Sequence, residues 1–538
     1  MTARLKMAVS LAAVALGVGA GAATATSESQ AGLLWSHTLT GETYVDYDVS
    51  IGNRGSRVFS DSGLFTRRTR LYSTQSASGS PLWQASSSTD GYSQRVDSSQ
   101  NADVHAVCRL QDASTPGQRI AVVECYDSNS SLPRWTFQFP QTTVGEGGNF
   151  IRVAADGSWV AAGLKSSSEL HLVVFEPGQQ GSNPSPFMDV RLPFFGELLH
   201  LGIAEDLSTV YCANLVRATV YDPNTGGVRY DKLIFGGEAR GHTSSADGKT
   251  LTYTKDGGYV VVRDEGNGYQ AVDHLKPFDG SSNYRIGPAA FSSDGKTLVG
   301  TYDNLSNLRT VHTIAWDLSG GTFMRMNDTT TSQHPTISNL VTDVAISDGP
   351  LQRIALSVRG DNGGSSPEIK VFQREQFGQS FDVHAQIQRP GTPFSLDLSS
   401  DGRRLAASGR DVPAVFTSGN KVVEAFDLGT DIRVLGSARV GGTVPVEFYT
   451  TSSSTLGFLL EASQPSQSPV PMNFGTLYLS RPLVTRTPLG QANGQGKIVF
   501  QYSVDGLFAG QTVYLQGLNV NSGTVRLSRD WTSITVLP

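Results

Sequence analysis

Short apolar runs, separated by clusters of Gly, Ser, Asp and Asn, recur along most of the chain. Representative runs are Arg285–Phe291, Leu298–Thr301, Phe394–Leu398 and Leu405–Ser408, each four to seven residues long. Runs of that length bounded by turn residues predict strands rather than helices. The turns themselves are regular. Ala155-Asp156-Gly157, Ala246-Asp247-Gly248, Ser293-Asp294-Gly295, Ser347-Asp348-Gly349 and Ser400-Asp401-Gly402 are clear copies; Glu205-Asp206, Gln100-Asn101 and Gly52-Asn53 are weaker ones. Counted from Asn53 through residues 101, 156, 206, 247, 294, 348 and 401, the gaps are 48, 55, 50, 41, 47, 54 and 53. Asp-Gly suits a tight hairpin because both residues tolerate the left-handed backbone region. Such a period accommodates four short strands per repeat.

Each turn has the same surroundings. An apolar strand precedes it, a second follows, and a third often ends in an aromatic or apolar residue beside Asp, as in Tyr126-Asp127, Tyr221-Asp222, Trp316-Asp317 and Phe426-Asp427. A Gly-containing turn then closes the unit, as in Ser319-Gly320-Gly321. This syntax resembles WD-repeat-type β-propellers, and also the Ser-x-Asp-Gly-Lys repeats of periplasmic and lactonase-like propellers, over roughly residues 33–435. The resemblance implies an all-β fold of seven or eight blades around a channel, seven if the stretch near 92–140 is not a full blade. Trp316-Asp317 is the one literal Trp-Asp pair, and no Gly-His regularly opens a repeat. The likeness is architectural, and architecture does not carry activity.

Closure follows from the tryptophans. The fourth strands of the first two repeats carry Leu82-Trp83-Gln84 and Arg134-Trp135-Thr136-Phe137. A similar segment, Leu34-Trp35-Ser36-His37-Thr38-Leu39, stands before any first strand. A strand near 33–39 is therefore expected to complete the last blade, whose other strands come from about Pro393–Leu428, and so protect an open edge. After residue 435 the turn syntax stops. Seven alternating runs between Val444 and Leu537, with a Pro/Ser-rich loop at Gln464–Pro471, predict a small antiparallel β-sandwich over 436–538. It reads as an attachment or carbohydrate-contact module, or as a structural cap.

The first residues alter the setting. Arg4 and Lys6, an apolar run from Met7 to about Ala22 and then Ala23-Thr24-Ala25 have the order of a secretory signal peptide over 1–25. The mature chain is expected to be exported, to the periplasm or the medium, as a monomer without a membrane span. Charged residues make up only 17% of the chain and the net charge is −6, with no basic cluster, which excludes nucleic acid as the partner class. Of three cysteines, Cys108 and Cys125 lie on strand-like runs (Val104–Leu110, Arg119–Tyr126) that could pair as a hairpin bridged by a disulfide, or could stay buried as thiols.

Chemistry is sparse. The nine histidines are dispersed, with no His-x-His or His-x-x-x-His pair, and His242 and His312 could face the channel. No nucleophile elbow or phosphate-cradling glycine loop occurs. Asp46-x-Asp48 and the pair Asp294/Asp303 are the candidates for calcium, the one cofactor worth naming. Arg359-Gly360-Asp361 spells an adhesion tripeptide, and Asn129, Asn304 and Asn327 head glycosylation patterns. Tryptophans fade after Trp159, unlike quinone-cofactor propellers, which resemble this array but carry Trp in most blades. With no catalytic constellation, the expected function is a non-catalytic scaffold whose loops meet a protein or carbohydrate partner. The alternative is a propeller hydrolase or lactonase-like enzyme, which requires acidic or His side chains to converge in the channel.

Overall fold

In the computed structural model, residues 32–537 are described apart from short connecting segments, the longest being 40–47, 144–149, 235–240, 277–283, 332–338, 360–366, 413–418, 450–455 and 505–510. The leader at 1–25, Asp46, Asn53, Asn101 and the Gly360-Asp361 half of the adhesion tripeptide lie outside the described residues. The chain forms two compact units, Ala31–Asp427 and one beginning at Leu428.

The first unit consists of eight antiparallel sheets of at least four strands each. Blade 1, for example, runs Val49–Gly52, Arg57–Ser62, Arg67–Ser73, Pro81–Ser87 in spatial order. The first strand of each blade packs on the first strand of the next, and the circuit closes from Pro393–Leu398 back to Val49–Gly52. These strands therefore ring a central axis. The stretch near 92–140 is a full blade, so the count is eight: Gly91–Ser98, Val104–Asp112, Arg119–Asp127 and Trp135–Thr143. Blade 2 carries an extra parallel strand, Gly181–Ser182, supplied by a loop of blade 3. Gly181 donates to the Arg134 carbonyl (3.0 Å) and Asn183 to that of Thr136 (2.7 Å), so the loop covers an otherwise open edge.

The expected closure is present. Gly32–Leu39 is the outer strand of blade 8, pairing antiparallel with Lys421–Asp427 from Gly32↔Asp427 to Leu39↔Lys421. Trp35 and Leu39 enter an apolar cluster with Ile51, Val58 and Tyr72 of blade 1 and Val423 and Ala425 of blade 8.

One hydrogen-bond pattern makes the turns. At Ser292, the backbone amide donates to the Thr297 carbonyl (2.9 Å), while the Thr297 amide donates back to Ser292 Oγ (3.0 Å). Ser292 Oγ in turn donates to Asp294 Oδ1 (2.8 Å), which also accepts the Lys296 amide (3.1 Å). Gly295 then takes φ +64°, a backbone state that favours glycine. Ser245–Thr250 and Ser399–Arg404 repeat these bonds. In blade 4, Leu207 occupies the glycine position at φ +52° and buries its side chain in the apolar cluster below.

The second unit contains a three-stranded sheet (Ile432–Val434, Thr443–Tyr449, Lys497–Ser503), a five-stranded sheet and a two-stranded hairpin. Val446, Phe448 and Tyr502 from the first sheet share one core with Leu459, Leu515 and Ile534 from the second. Phe448 lies so close to Gly517 that a Cβ there would sit 1.9 Å from its ring. The expected loop at 464–471 is instead strand Pro465–Met472, paired with Gly475–Leu479. Its register shifts between Pro465 and Val470, and such an irregularity accommodates proline in an edge strand.

Candidate functional site

At every junction around the axis a side chain reaches the neighbouring blade. From blade 6 round to blade 3 the bond is a carboxylate accepting a backbone N–H. Asp303 accepts from Val341 (3.1 Å), Asp343 from Leu396 (3.0 Å), Asp397 from Ile51 (2.8 Å), Asp48 from Val96 (2.9 Å) and Asp97 from Val153 (2.7 Å). On the remaining junctions the polarity reverses, and a donor side chain meets a carbonyl. Arg152 Nε donates to Leu201 (3.2 Å), the Tyr211 hydroxyl to Thr252 (3.0 Å) and the Tyr259 hydroxyl to Gly287 (3.2 Å).

The channel carboxylates form two layers. Asp97 and Asp397 each stand two residues before the serine that opens their turn, Ser99 and Ser399. Asp48 and Asp343 stand four before the corresponding Gly52 and Ser347. Even offsets along a strand put all four on the same sheet face, the one turned to the next blade, whose backbone they meet. Ser50 shares the first layer and Ser395 the second, where its Oγ donates to Asp48 (3.0 Å). Burial pushes Asp397 up to about 7, against the Ile51 amide, which pulls it down; the Asp97 charge raises it further. Burial likewise lifts Asp343 to about 6, with the Asp48 charge adding to it. Arg152 approaches Asp97 at 3.8 Å and Arg95 acts on Asp343, so each layer has one cation beside two acids.

Beyond the channel, the Asp-Gly turns bring acids to one face: Asp156, Glu205, Asp206, Asp294 and Asp348 are exposed there. Lys296 and Arg403 offset Asp294 (3.0 Å) and Asp401 (3.7 Å). Glu205 is raised by partial burial and then by the charges of Asp156, Asp348, Asp247 and Asp206, which marks the mouth as crowded with negative charge.

The sequence candidates separate differently. His242 precedes the inner strand of blade 5; burial, and after it the charges of Arg152 and His242, hold His200 well below its ordinary range. His312 does not face the channel: it lies on the third strand of blade 6, bonds Thr329 Oγ1 (3.0 Å) and meets the edge of Tyr284. Asp294 and Asp303 cannot share an ion. Asp294 sits in the turn before Thr297–Asn304 and Asp303 at that strand's far end, about 20 Å away at ~3.3 Å per residue. Asp303 instead pairs with Arg285 at 2.6 Å. Among the described residues no group of three or more His, Cys, Asp and Glu could hold a metal. Asn129 is exposed beside Leu132 (75% exposed), while the Asn304 side chain accepts the Ser306 amide (2.9 Å).

The cysteine hairpin forms, and all three cysteines stand in it or beyond it as free, buried thiols. Cys108 lies opposite Val123 and Cys125 opposite Ala106, which makes them diagonal neighbours rather than a facing pair. All three thiols are buried, and burial pushes each up to about 12. An alkylating reagent should therefore leave the native protein unmodified and add three groups after denaturation, with or without prior reductant. Mass spectrometry that found two groups fewer in the unreduced sample would establish a bridge.

The ring of eight blades, the Ser-x-Asp-Gly turns and the N-terminal strand completing the last blade define the first unit as an eight-bladed β-propeller. Among solved structures the chain is similar to Saccharomyces cerevisiae Sqt1, at 10% identity over 74% of this chain and 99% of that one, with a TM-score of 0.49. It is also similar to the Dos1 propeller, at 10% identity over 75% and 97% and a TM-score of 0.45. The β-propeller domain of Myceliophteria thermophila Cps50 (Swd1) gives 12% over 73% and 99%, with a TM-score of 0.37. These likenesses concern the fold alone. No protein-family model matches the chain, and no curated protein does.

Proposed function

We propose that this chain is an exported, non-catalytic scaffold whose propeller offers its acidic turn face to a cationic segment of a partner protein. One observation carries the reading. The channel carboxylates, the groups an enzyme would need, already accept backbone N–H bonds from neighbouring blades. Asp397 accepts Ile51 on one oxygen and its own neighbour Leu398 on the other (2.9 Å), so it is engaged as a staple rather than aimed at a substrate. The hydrolase reading required converging acids, and Asp97 and Asp397 do converge, but on Ser50 of blade 1, which lies between them. What stands exposed to a partner is the crowded carboxylate rim around Glu205. The basic, apolar and small-residue order of 1–25 supports export.

The test is binding of Lys/Arg-rich peptides, against matched acidic peptides and a glycan panel, by fluorescence anisotropy. Basic peptides should bind and weaken with salt, as rim charges do. Glu205→Lys should reduce affinity about fivefold, the ~1 kcal/mol of a well-placed exposed charge. Retention of glycans alone, or basic-peptide binding indifferent to Glu205→Lys, would overturn the proposal.

A further inference from the structure

Ser50 sits on the inner strand of blade 1 between two carboxylates from the flanking blades. Its Oγ is 3.1 Å from Asp397 Oδ2 of blade 8 and 3.4 Å from Asp97 Oδ1 of blade 2. A hydroxyl has one proton to donate. If both carboxyls were ionised, one of these two contacts would set lone pair against lone pair in a site largely shut off from water. The remaining oxygens offer no escape, since Asp97 Oδ2 accepts the Val153 amide and Asp397 Oδ1 that of Leu398. Counting donors therefore leaves the bridge one proton short unless a carboxyl supplies it.

We propose that the Asp397–Ser50–Asp97 bridge holds one proton at neutral pH, and that losing it weakens the ring on both sides of blade 1. The surrounding charges give the proton a place. Arg152 of blade 3 lies 3.8 Å from Asp97 Oδ1 and favours the anion there. The order is then Asp397 carboxyl proton to Ser50 Oγ, and Ser50 proton to Asp97, with Arg152 beyond. The other charged groups facing this site are Asp48, which acts on Asp97, and, in the second layer, Asp343 with Arg95. Burial raises both Asp97 and Asp397, the latter to about 7, in agreement with the proton count. The folded values lie above the unfolded one. The stabilisation is thus complete at low pH and lost as pH rises through about 7, because the folded state binds the extra proton. His105 and His200, held neutral by burial, act in the opposite sense below their ordinary range, so only a difference between variant and wild type isolates the bridge.

Infrared spectroscopy of the full chain in heavy water reads the proton directly. A protonated-carboxyl carbonyl band should be full below about pH 6, about half that height near pH 7 and absent above about pH 8. Asp97→Asn replaces the acid with an amide that can donate to Ser50 while still accepting from Val153. It should abolish the band, and its melting temperature should gain a few degrees on wild type between about pH 5.5 and 8.5. A wild-type spectrum without the band at neutral pH would overturn the proposal, even if the variant failed to fold. A band that survives in Asp97→Asn, or melting curves that stay parallel, would do the same.

Discussion

Trp35→Ala is expected to lower the melting temperature of the whole propeller, not merely to loosen its N-terminal strand. Trp35 is almost fully buried, stacks on Tyr72 of blade 1 with ring centroids 5.0 Å apart, and donates its indole N–H to the Ser73 carbonyl at 2.9 Å. Its backbone pairs in the meantime with Ala425 of blade 8. One side chain therefore ties the last blade to the first across almost the whole propeller. Truncating a buried Trp costs about 3–5 kcal/mol. For a unit of roughly 400 residues melting as one, the entropy of unfolding converts this to about 4–6 °C. Deleting residues 26–41 should do more, because it also opens the edge of Lys421–Asp427 to other chains. Calorimetry separates the outcomes. An unchanged transition in the deletion variant would mean that the ring does not depend on this strand.

The features legible in the sequence were those whose chemistry is local. A Ser-x-Asp-Gly turn is readable because each bond in it joins residues within five positions of one another, and because Gly295 and Gly402 need a left-handed backbone. The closing strand was legible because it repeats the Leu-Trp signature of the fourth strands in blades 1 and 2. Two kinds of feature escaped. Leu207 broke the turn's spelling while keeping its conformation, since burial of its side chain offsets the unfavourable backbone. The loop strand Gly181–Ser182 pairs through backbone alone and has no side-chain signature. The channel staples were hidden for another reason. Asp343 and Asp397 look like any strand Asp until the N–H of the next blade, some fifty residues on or across the closure, is brought to them. A signal did exist: each interrupts an apolar inner strand, as in Val341-Thr342-Asp343-Val344 and Leu396-Asp397-Leu398, where a lone acid calls for a buried donor. His312 misled for the opposite reason, because its strand order, not its residue type, decides which histidines meet the axis.

A second large loss is expected at a buried ion pair in blade 2. Glu124 lies on the third strand of blade 2, where Oε1 accepts Arg109 Nη2 at 2.7 Å and Oε2 accepts the Tyr126 hydroxyl at 2.7 Å. All three side chains are buried. Glu124→Ala removes the counter-charge but leaves the Arg109 guanidinium where water cannot reach it, which costs about 3–5 kcal/mol for a buried pair. Glu124→Gln keeps the oxygen that faces Arg109 and should cost less. Replacing both ions with methionine should recover much of the loss, since desolvation of the pair is then no longer required. A double-mutant cycle in denaturant measures this, and the expected sign is specific. The double variant must be more stable than Glu124→Ala alone, because the penalty comes from the stranded cation and not from the missing contact. If Glu124→Ala lost less than about 1 kcal/mol, water would have to reach Arg109, and blade 2 would be looser at its centre than its buried strands imply.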